Sequence, residues 1–421
     1  MRVLLINRYD FMDGGADRVF LNTYDLLTQS APSYPSLPKG GAGEGTFGDE
    51  VDLQVDKFTG KDAGISHVNP RSLSVWAKLN LVRDYLYNRK VAAALDQKIR
   101  DFRPDVAHVH LIFGTLSVSV LRVLKRHKVP VVMTLHDYRL ICPANAFLDR
   151  NGSVCEKCKS GRYYNCLVNR CSGGNLFYSF MVMLEGYLRK YVYRPLSLVD
   201  HFIFVSEFAR KKHLEYDSRY AKKSSHLYNM ANPVETSVPS RGNYFLYFGR
   251  LSREKGLLTL IEAAKRTGIT LKIAGSGPQE SELRSLLPQT PNPIPHTISF
   301  VGFVSGPALK DLIAGSSFVL VPSEWYENNP MAVVEAFTLG KPVIGSCIGG
   351  IPELLAPETG FLFEPRNVES LVEALKRAMN ISDKDYLTMA NACRDFAVQN
   401  FDRKVHLDRL VEIYHQVCER A

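Results

Sequence analysis

Short apolar runs alternate along most of the chain with segments whose apolar residues recur at helical spacing. A strand that is buried on both faces of a parallel sheet has such a continuous apolar run, and strands that alternate with helices indicate βαβ units. We therefore predict an α/β fold built on parallel sheets. The predicted strands lie at residues 3–7, 105–111, 129–135, 201–206, 244–248, 271–274, 298–302, 318–322 and 342–346.

Helical spacing is clearest in six segments, and a chain of 421 residues is long enough for two domains with full cores. The segment at residues 29–62 is rich in Pro, Gly and Ser and is predicted to be irregular. A loop of this length in a compact domain is usually functional or mobile. The predicted helical segments are 72–102, 175–198, 207–213, 331–339, 385–397 and 403–419.

Residues 322–353, PSEWYENNPMAVVEAFTLGKPVIGSCIGGIPE, place Glu327 just before a predicted helix and Glu335 two turns inside it. We predict Asn329 as the N-cap and Pro330 at the first helical position. The free amide groups of a helix N-terminus can hold an anion or sugar hydroxyls, and a carboxylate can accept two hydrogen bonds from a ribose diol. The alternative is a capping loop followed by an ordinary helical glutamate.

A glycine turn with two cations follows the strand at residues 244–248. Arg250 and Lys255 stand at the carboxyl end of that strand, ahead of a helix. A guanidinium binds a diphosphate through parallel hydrogen bonds and an ammonium adds a point charge, so the turn suits a diphosphate. The alternative is a solvated basic turn. Gly275 and Gly277 form a further turn, which lacks the third glycine of a dinucleotide fingerprint.

In the first half of the chain, polar residues follow the predicted strands, where doubly wound sheets bind their ligands. Gly14 and Gly15 open a helix after the first strand, and glycine lets the backbone approach a ligand closely. His110 and His136 follow the next two strands, where a histidine can donate to a sugar hydroxyl or a phosphate. The alternatives are a tight turn without chemistry and two hydrogen-bonded loop histidines.

Composition limits the partners and the compartment. The chain is 45% hydrophobic and 23% charged with a formal net charge of +9, which suits an anionic partner. A phosphorylated substrate and an anionic membrane surface both meet that description, and no nucleic-acid module is recognisable.

The chain has no apolar run of membrane-spanning length and no signal peptide pattern at its N-terminus, so we expect a cytoplasmic protein without structural disulfides. The aromatic and basic segment 175–198 is either a core-facing amphipathic helix or a helix on a membrane surface.

Four cysteines, Cys155, Cys158, Cys166 and Cys171, are closely grouped after Cys142. Four thiolates can close a tetrahedral zinc site and stabilise a small insert that lacks its own core. The spacing is not a regular pair of CxxC motifs, so reduced structural thiols and a disulfide or redox pair remain as alternatives to structural zinc. We expect no catalytic role, because a four-cysteine site has no open position.

Two segments, SEWYENNPMAVVEAFTLGKPVIG and GRLSREKGLLTLIEA, resemble the donor-site motifs of retaining glycosyltransferases of family 4, which have the GT-B fold. The Thr-Leu-His-Asp segment that contains His136 resembles the histidine of that family's N-terminal domain. The glycine loop resembles the family's Gly-Gly-Ala-Glu loop, with Asp17 in place of Glu. The resemblance covers most of the chain and is strongest at residues 244–363.

This resemblance implies two Rossmann-like domains that face a cleft. The implied parts are an acceptor-binding domain at 1–235 with a Cys-rich insert at about 142–172, a nucleotide-sugar-binding domain at 240–395, and a C-terminal helix at 396–421 that crosses back to the first domain.

The resemblance also implies residue roles. Arg250 and Lys255 stabilise the charge that grows on a departing nucleoside diphosphate. Glu327 hydrogen-bonds the donor sugar near the reacting centre, Glu335 binds the ribose and His136 reaches the donor sugar. The other implied donor-binding residues are Gly14, Gly15, Gly275, Gly277, Asn328, Asn329, Pro330 and Met331.

The implied activity is that of a retaining hexosyltransferase. It moves a sugar from a nucleoside-diphosphate sugar to a hydroxyl of a glycan or lipid-linked acceptor in surface-polysaccharide assembly. The implied mechanism is front-face attack that requires no metal cofactor, and the setting implies peripheral contact with the inner face of the plasma membrane. The alternatives are a GT-B sugar-nucleotide epimerase and a non-catalytic nucleotide-sugar-binding protein.

Overall fold

A computed structural model of the chain describes residues 1–12, 14–30, 53–65, 82–231, 240–287 and 298–420. Within these ranges the chain forms two six-stranded β-sheets, and every strand pairing in both sheets is parallel. Helices connect the strands. The predicted α/β fold with two Rossmann-like sheets is therefore confirmed.

The first sheet has the strand order β2-β1-β3-β4-β5-β6. Its inner strands are buried almost throughout, which is why their sequences read as continuous apolar runs. Its strands are β1 (Arg2–Ile6), β2 (Gln54–Phe58), β3 (Val106–Val109), β4 (Val131–Leu135), β5 (His201–Phe204) and β6 (Ser224–His226). The helices of this half are α1 (Gly15–Ser30), α2 (Arg89–Phe102), α3 (Ser119–Arg126), α4 (Tyr164–Val168), α5 (Leu176–Leu188), α6 (Pro195–Leu198) and α7 (Glu207–Tyr216).

Strand β2 corrects the prediction that residues 29–62 are irregular. It lies at the edge of the sheet and its sequence, QVDKF, is mostly polar and only partly buried. An edge strand is covered on fewer sides and so lacks the apolar run that marks a central strand. Residues 31–52 of the same segment lie outside the described residues. So do residues 66–81, which include the start of the predicted helix at 72–102; its described part comprises helical residues 82–86 and α2.

The second sheet has the strand order β12-β11-β10-β7-β8-β9. Its strands are β7 (Phe245–Phe248), β8 (Leu271–Ala274), β9 (Ile298–Gly302), β10 (Phe318–Val321), β11 (Val343–Ser346) and β12 (Gly360–Phe363). The helices that follow in the chain are α8 (Leu257–Thr267), α9 (Glu280–Ser285), α10 (Gly306–Ala314), α11 (Met331–Thr338), α12 (Val368–Met379), α13 (Asp383–Phe401) and α14 (Arg403–Glu419).

The last helix, α14, packs against the first sheet rather than the second. Leu410 and Tyr414 are buried in one apolar cluster with Val3 and Leu5 of β1. A buried hydrogen bond of 2.7 Å joins the Tyr414 hydroxyl to Nδ1 of His108 in β3. The helix thus links the end of the chain to the core of its first half.

A long insert between β4 and β5 carries α4, α5 and α6. The segment predicted as one helix at residues 175–198 is interrupted. Helix α5 is followed by a π turn at Arg189–Tyr193, and the next residue, Arg194, has the left-handed conformation (φ 47°). Pro195 follows, and a residue before proline is disfavoured in the right-handed helical conformation. Arg189 is nearly fully buried and pairs with Glu185, which anchors α5 in the insert.

The grouped cysteines also lie in this insert. Cys158 and Cys166 are buried in one cluster, Cys171 packs against them, and all eight cysteines of the chain are free thiols. Burial, together with neighbouring thiols, raises the pKa of Cys158 to about 12. The described part of the chain holds no group of three or more His, Cys, Asp or Glu side chains that could bind a metal ion. Zinc binding by Cys155, Cys158, Cys166 and Cys171 stays a prediction.

The described ranges contain no helix that is both long enough and apolar enough to span a membrane.

Leu410→Ala tests how far stability depends on α14. Leu410 is 1% exposed, so we expect the substitution to lower the free energy of unfolding by about 2–5 kcal/mol through lost burial and a cavity. Leu387→Ala on α13 is the matched control, because Leu387 is 41% exposed; its cost should stay below about 0.5 kcal/mol. Denaturant unfolding of both variants measures the difference, and equal costs would mean that α14 contributes little to the first core.

Candidate active site

The loops that follow β4 and β10 meet at a cleft between the two sheets. Asn328 Nδ2 donates a hydrogen bond of 2.6 Å to the backbone carbonyl of His136. Both loops leave the carboxyl ends of their strands, which is where parallel sheets bind ligands. The polar residues predicted in the two halves therefore face each other across one cleft.

An ion pair between Lys255 and Glu327 lies at the base of the second half of this cleft. Lys255 Nζ is 2.6 Å from Glu327 Oε1, and the Ser323 hydroxyl donates to the same oxygen at 2.6 Å. Burial alone would raise the pKa of Glu327, but the Lys255 ammonium and the hydrogen bonds from Lys255 and Ser323 outweigh burial and lower that pKa. Glu327 is therefore an ionised carboxylate at neutral pH.

Two glycine turns form the surface beside this ion pair. Gly275 has φ 138°, and a Cβ atom there would stand 1.8 Å from the carbonyl oxygen of Gly249, so only glycine fits. The two turns are joined by backbone hydrogen bonds, including Leu251 N–H to Ser276 at 2.9 Å. Arg250 projects from the first turn, and its exposed guanidinium has no hydrogen bond or ion pair to a described residue. Its guanidinium is therefore available to an anion.

Helix α11 begins at Met331, where the predicted segment 331–339 begins, but its N-cap lies one residue later than predicted. Pro330 is its N-cap and Met331 its first residue, so the predicted capping by Asn329 is wrong. The Asn329 side chain is engaged elsewhere, because its Oδ1 accepts the backbone N–H of Asn229 at 3.0 Å and its carbonyl accepts Asn229 Nδ2 at 3.3 Å. The first amides of α11 remain without a partner inside the helix and can bind a ligand.

The glycine loop of the first half faces the start of α11. An added Cβ at Gly15 would lie 3.9 Å from Met331 Cγ. Asp17, three residues after Gly14, is fully buried and accepts a hydrogen bond of 3.0 Å from Asn7 Nδ2. Asp17 therefore holds the loop in place and does not face a ligand.

Glu335, expected to bind a ribose, is paired across the cleft with Arg18 of α1. Burial raises the pKa of Glu335, and the Arg18 guanidinium opposes that rise. No motif in the sequence pointed to Arg18. It lies next to Asp17 in the glycine loop motif, but no local pattern connects it with a glutamate 317 positions away.

Two buried histidines, His108 and His110, form a cluster with the partly exposed His136 in the first half. Nδ1 of His110 is 2.9 Å from Nε2 of His136, with the two rings stacked. Nε2 of His108 is 2.7 Å from the hydroxyl of Thr134. Burial lowers the pKa of His136 to about 4 and that of His108 to about 3, and it lowers the pKa of His110 well below the usual value. All three imidazoles are therefore neutral at pH 7.

Further contacts that the sequence analysis missed connect the two halves. The carboxylate of Glu353 accepts the backbone N–H groups of Glu207 (3.0 Å) and Phe208 (2.8 Å) at the start of α7. This is the favourable position for an anion at a helix N-terminus. Tyr326 donates to Glu156 of the insert at 2.8 Å. This contact places the insert against the loop between β10 and α11, which is called the donor loop after the motif that it carries.

Comparisons with known proteins agree with this arrangement. Residues 231–396 match the family model described as "Glycosyl transferases group 1", and residues 50–233 match "Glycosyltransferase Family 4". An uncharacterised 42.6 kDa protein of the cps region of Klebsiella pneumoniae is 26% identical over 330 residues, which are 76% of this chain and 78% of that protein. The putative colanic acid biosynthesis glycosyltransferase WcaL of Escherichia coli is 26% identical over 185 residues, 41% of this chain and 45% of WcaL.

Solved structures share the fold. Sucrose-phosphate synthase of Thermosynechococcus elongatus superposes with a TM-score of 0.65 at 17% identity over 100% of both chains. Anabaena HepE, in complex with UDP and glucose, superposes with a TM-score of 0.62 at 16% identity over 99% of this chain and 100% of HepE.

Lys255→Met tests the buried ion pair. The substitution leaves the Glu327 carboxylate buried without its cation, so we expect a loss of about 3–5 kcal/mol in the free energy of unfolding at pH 7. Burial then raises the pKa of Glu327 above its unfolded value, and a carboxyl with a raised folded pKa gains stability as the pH falls towards that pKa. The deficit relative to the wild type should therefore shrink between pH 7 and about pH 5.

Denaturant unfolding at both pH values measures this effect. Lys310→Met is the control, because Lys310 is an exposed lysine on α10. A deficit that does not change with pH would show that Glu327 does not carry the uncompensated charge.

Proposed function

The chain belongs to the group 1 glycosyltransferases of family 4, and from this premise we propose that it is a retaining, metal-independent transferase of a hexosyl group from a nucleoside-diphosphate sugar. The observation that carries the proposal is that the loop that leads into α11 holds Glu327 paired with Lys255 and, through Asn328, contacts the backbone of His136 in the first half. The polysaccharide biosynthesis relatives support a glycan or lipid-linked acceptor in surface-polysaccharide assembly.

The diphosphate is assigned to the two glycine turns. Arg250 contributes two parallel hydrogen bonds, and Lys255 contributes a point charge once the diphosphate competes with Glu327 for it. Two cations at the leaving group stabilise the charge that develops there in the transition state, which is the task a metal ion performs in other transferases. We therefore expect transfer without an added divalent cation.

The donor sugar is assigned to the space between α11 and His136. The amides at the start of α11 and the Glu327 carboxylate hydrogen-bond its hydroxyls, with Asn328 and Asn329 holding that loop against the first half. Glu335 receives the ribose, for which the diol must displace the Arg18 guanidinium.

The proposed reaction proceeds by front-face attack. The acceptor oxygen forms a bond to the anomeric carbon on the side from which the diphosphate departs. The bond between that carbon and the phosphate oxygen breaks, and the acceptor proton passes to the departing phosphate. The configuration at the anomeric carbon is retained, and no side chain forms a covalent intermediate.

Binding of the donor tests this proposal. Solved structures of HepE contain UDP or UDP-glucose. A panel of UDP-, GDP-, ADP- and dTDP-sugars should therefore start with UDP-glucose. We expect one nucleotide class to raise the melting temperature in the absence of metal, because a ligand of the native state stabilises by mass action. Arg250→Ala should weaken that binding about 10- to 100-fold, since a hydrogen bond to a charged group contributes about 1.5–3 kcal/mol.

Lys310→Ala is the control for the charge change, and it should bind the donor as the wild type does. Release of free nucleoside diphosphate only when an acceptor is added separates a transferase from an epimerase and from a binding protein. Equal stabilisation of the wild type and Arg250→Ala would contradict the assignment of the diphosphate to the glycine turns.

We also propose that the insert contacts the inner face of the plasma membrane. The insert exposes several large apolar side chains. Exposed apolar patches mark interaction sites. These side chains are Tyr164, Val168, Leu176, Phe177, Phe180, Tyr191 and Val192. The exposed cations beside them are Lys157, Lys159, Arg162, Arg170, Lys190 and Arg194.

Charge supports an anionic bilayer as the partner. The only acid among residues 157–199 is Glu185, which is buried and paired with Arg189. Each exposed Lys or Arg near an anionic lipid surface contributes about 1 kcal/mol, and aromatic side chains sit well in the interfacial region.

Vesicle binding tests the membrane proposal. The protein should sediment with phosphatidylglycerol-containing vesicles but not with pure phosphatidylcholine, and high salt should weaken the binding. A double substitution, Phe177→Ser with Phe180→Ser, should lower the partition coefficient at least about tenfold, because two aromatic side chains are lost from the interface. Val398→Ser, which removes an exposed apolar side chain of α13, should not change the partition coefficient. Equal partition coefficients for the wild type, the double variant and Val398→Ser would contradict the proposed membrane surface.

A further inference from the structure

A small cavity is lined by His110, whose imidazole is paired with that of His136. It measures about 10 Å³, close to the space that one water molecule needs. It is bounded by β3, β4, β5, α1, α14 and the segment that leaves β6. Its lining residues are Val19, Thr23, His108, His110, Thr134, Ile203, Val205, Leu227, Asn229, His406 and Leu410.

Two polar atoms of the cavity wall are buried without a hydrogen-bond partner, namely His110 Nε2 and Asn229 Oδ1. His110 is 2% exposed and Asn229 5% exposed. A buried polar atom without a partner costs about 1–3 kcal/mol, so two of them at one water-sized cavity indicate a polar ligand. Water fits both the volume and the chemistry.

The other groups on the wall determine which atoms donate. Asn229 Nδ2 faces the carbonyl oxygen of Asn329 at 3.3 Å, and a carbonyl only accepts. The Asn229 amide is therefore oriented with its oxygen, an acceptor, as the unpaired atom. His406 Nδ1 is 3.1 Å from the carbonyl oxygen of Tyr228, so Nδ1 carries the proton. Burial keeps His406 neutral by lowering its pKa to about 4, which leaves its Nε2 as an acceptor.

We propose that one ordered water molecule occupies this cavity, donates to Asn229 Oδ1 and His406 Nε2, and accepts from His110 Nε2–H, and that His110 thereby fixes the tautomer of His136. A water has two protons. When both go to the two acceptors, the third partner, His110 Nε2, must itself be the donor.

The tautomer of His136 follows from this assignment. A neutral His110 that is protonated at Nε2 has a bare Nδ1, so the hydrogen bond of 2.9 Å between the rings is donated by His136 Nε2–H. His136 is then unprotonated at Nδ1, its other nitrogen, which has no hydrogen bond to a described residue. His136 is partly exposed. It therefore offers the cleft an acceptor, which fits a donor-sugar hydroxyl that gives its proton to the imidazole.

In this arrangement His110 is a positioning residue that acts through His136. The inference rests on the proposed function only in assigning the donor sugar as the partner of His136 Nδ1. The water also connects the first half to the donor loop, because Asn229 is hydrogen-bonded to Asn329 beside α11.

The tautomers can be measured without any substrate. In protein labelled with ¹⁵N histidine, protonated and bare ring nitrogens have well separated shifts, and single substitutions assign the signals. We expect His110 and His136 both to be protonated at Nε2 and His406 at Nδ1. A His136 protonated at Nδ1, or charged at pH 7, would overturn the inference whatever the activity of the enzyme. A crystal structure with a dry cavity would overturn it as well.

A matched pair of variants tests the consequence for transfer. The two new side chains, leucine in His110→Leu and asparagine in His110→Asn, have nearly the same shape. Only asparagine keeps a hydrogen-bonding group close to the position of His110 Nδ1. We expect His110→Leu to lower kcat about tenfold, the effect of losing one ordinary hydrogen bond, and to give a mixed His136 tautomer. His110→Asn should recover most of the rate and a single tautomer. Equal rates and equal His136 spectra for the two variants would show that His110 serves packing alone.

Thr23→Val is the control for changes to the cavity wall. The Thr23 hydroxyl donates its proton to the carbonyl of Val19 at 2.9 Å, and both protons of the proposed water go to Asn229 and His406, so Thr23 makes no hydrogen bond to this water. This variant should keep the wild-type His136 tautomer and rate. The tautomer measurement is independent of the proposed function. A protein that has the expected histidine tautomers but no transferase activity would contradict the proposed function and leave the tautomer assignment intact.

Discussion

One short loop beside the cleft, residues 326–329, is held from both halves of the molecule. Glu327 is fixed by Lys255 inside its own half, while Asn328 donates to the backbone of His136 in the other. Asn329 accepts from Asn229 in the segment that leaves the first sheet, and Tyr326 donates to Glu156 of the insert. Because four consecutive residues have four separate anchors, the loop fixes the start of α11 relative to the first half.

Electrostatics differ between the two walls of the cleft. The wall formed by the second sheet carries charge, with an ionised Glu327 against Lys255 and a free Arg250. The histidines of the first half are neutral, because burial lowers their pKa values, while Arg18 of the same half is paired with Glu335. Charged groups suit the diphosphate of a donor, and neutral imidazoles suit sugar hydroxyls, whose hydrogen bonds do not require a charged partner.

The insert connects this chemistry with the surface. Its Glu156 reaches Tyr326 of the donor loop, and Arg366 of the second half contacts the backbone of Gly152. The insert also exposes aromatic and basic side chains. One segment thus contacts the loop that leads into α11 and also carries the exposed aromatic and basic side chains.

The sequence by itself determined the class of fold and the residues of the donor motifs. Central strands that are buried on both faces must be apolar throughout, so their positions can be recognised locally. The turn at Gly275 admits only glycine, because its carbonyl neighbour leaves no room for a Cβ atom. Edge strand β2 was not recognised, because its polar sequence lacks the pattern of a buried strand.

Only the tertiary structure decided which side chains meet. Glu335 meets Arg18 from 317 positions away, and Glu353 meets the start of α7 from 146 positions away. The capping role expected of Asn329 was replaced by its contact with Asn229, 100 positions away. The physical reason is the same in each case. Side chains of these types pair with whatever lies within about 3 Å, and that proximity is set by the packing of two sheets and not by local sequence.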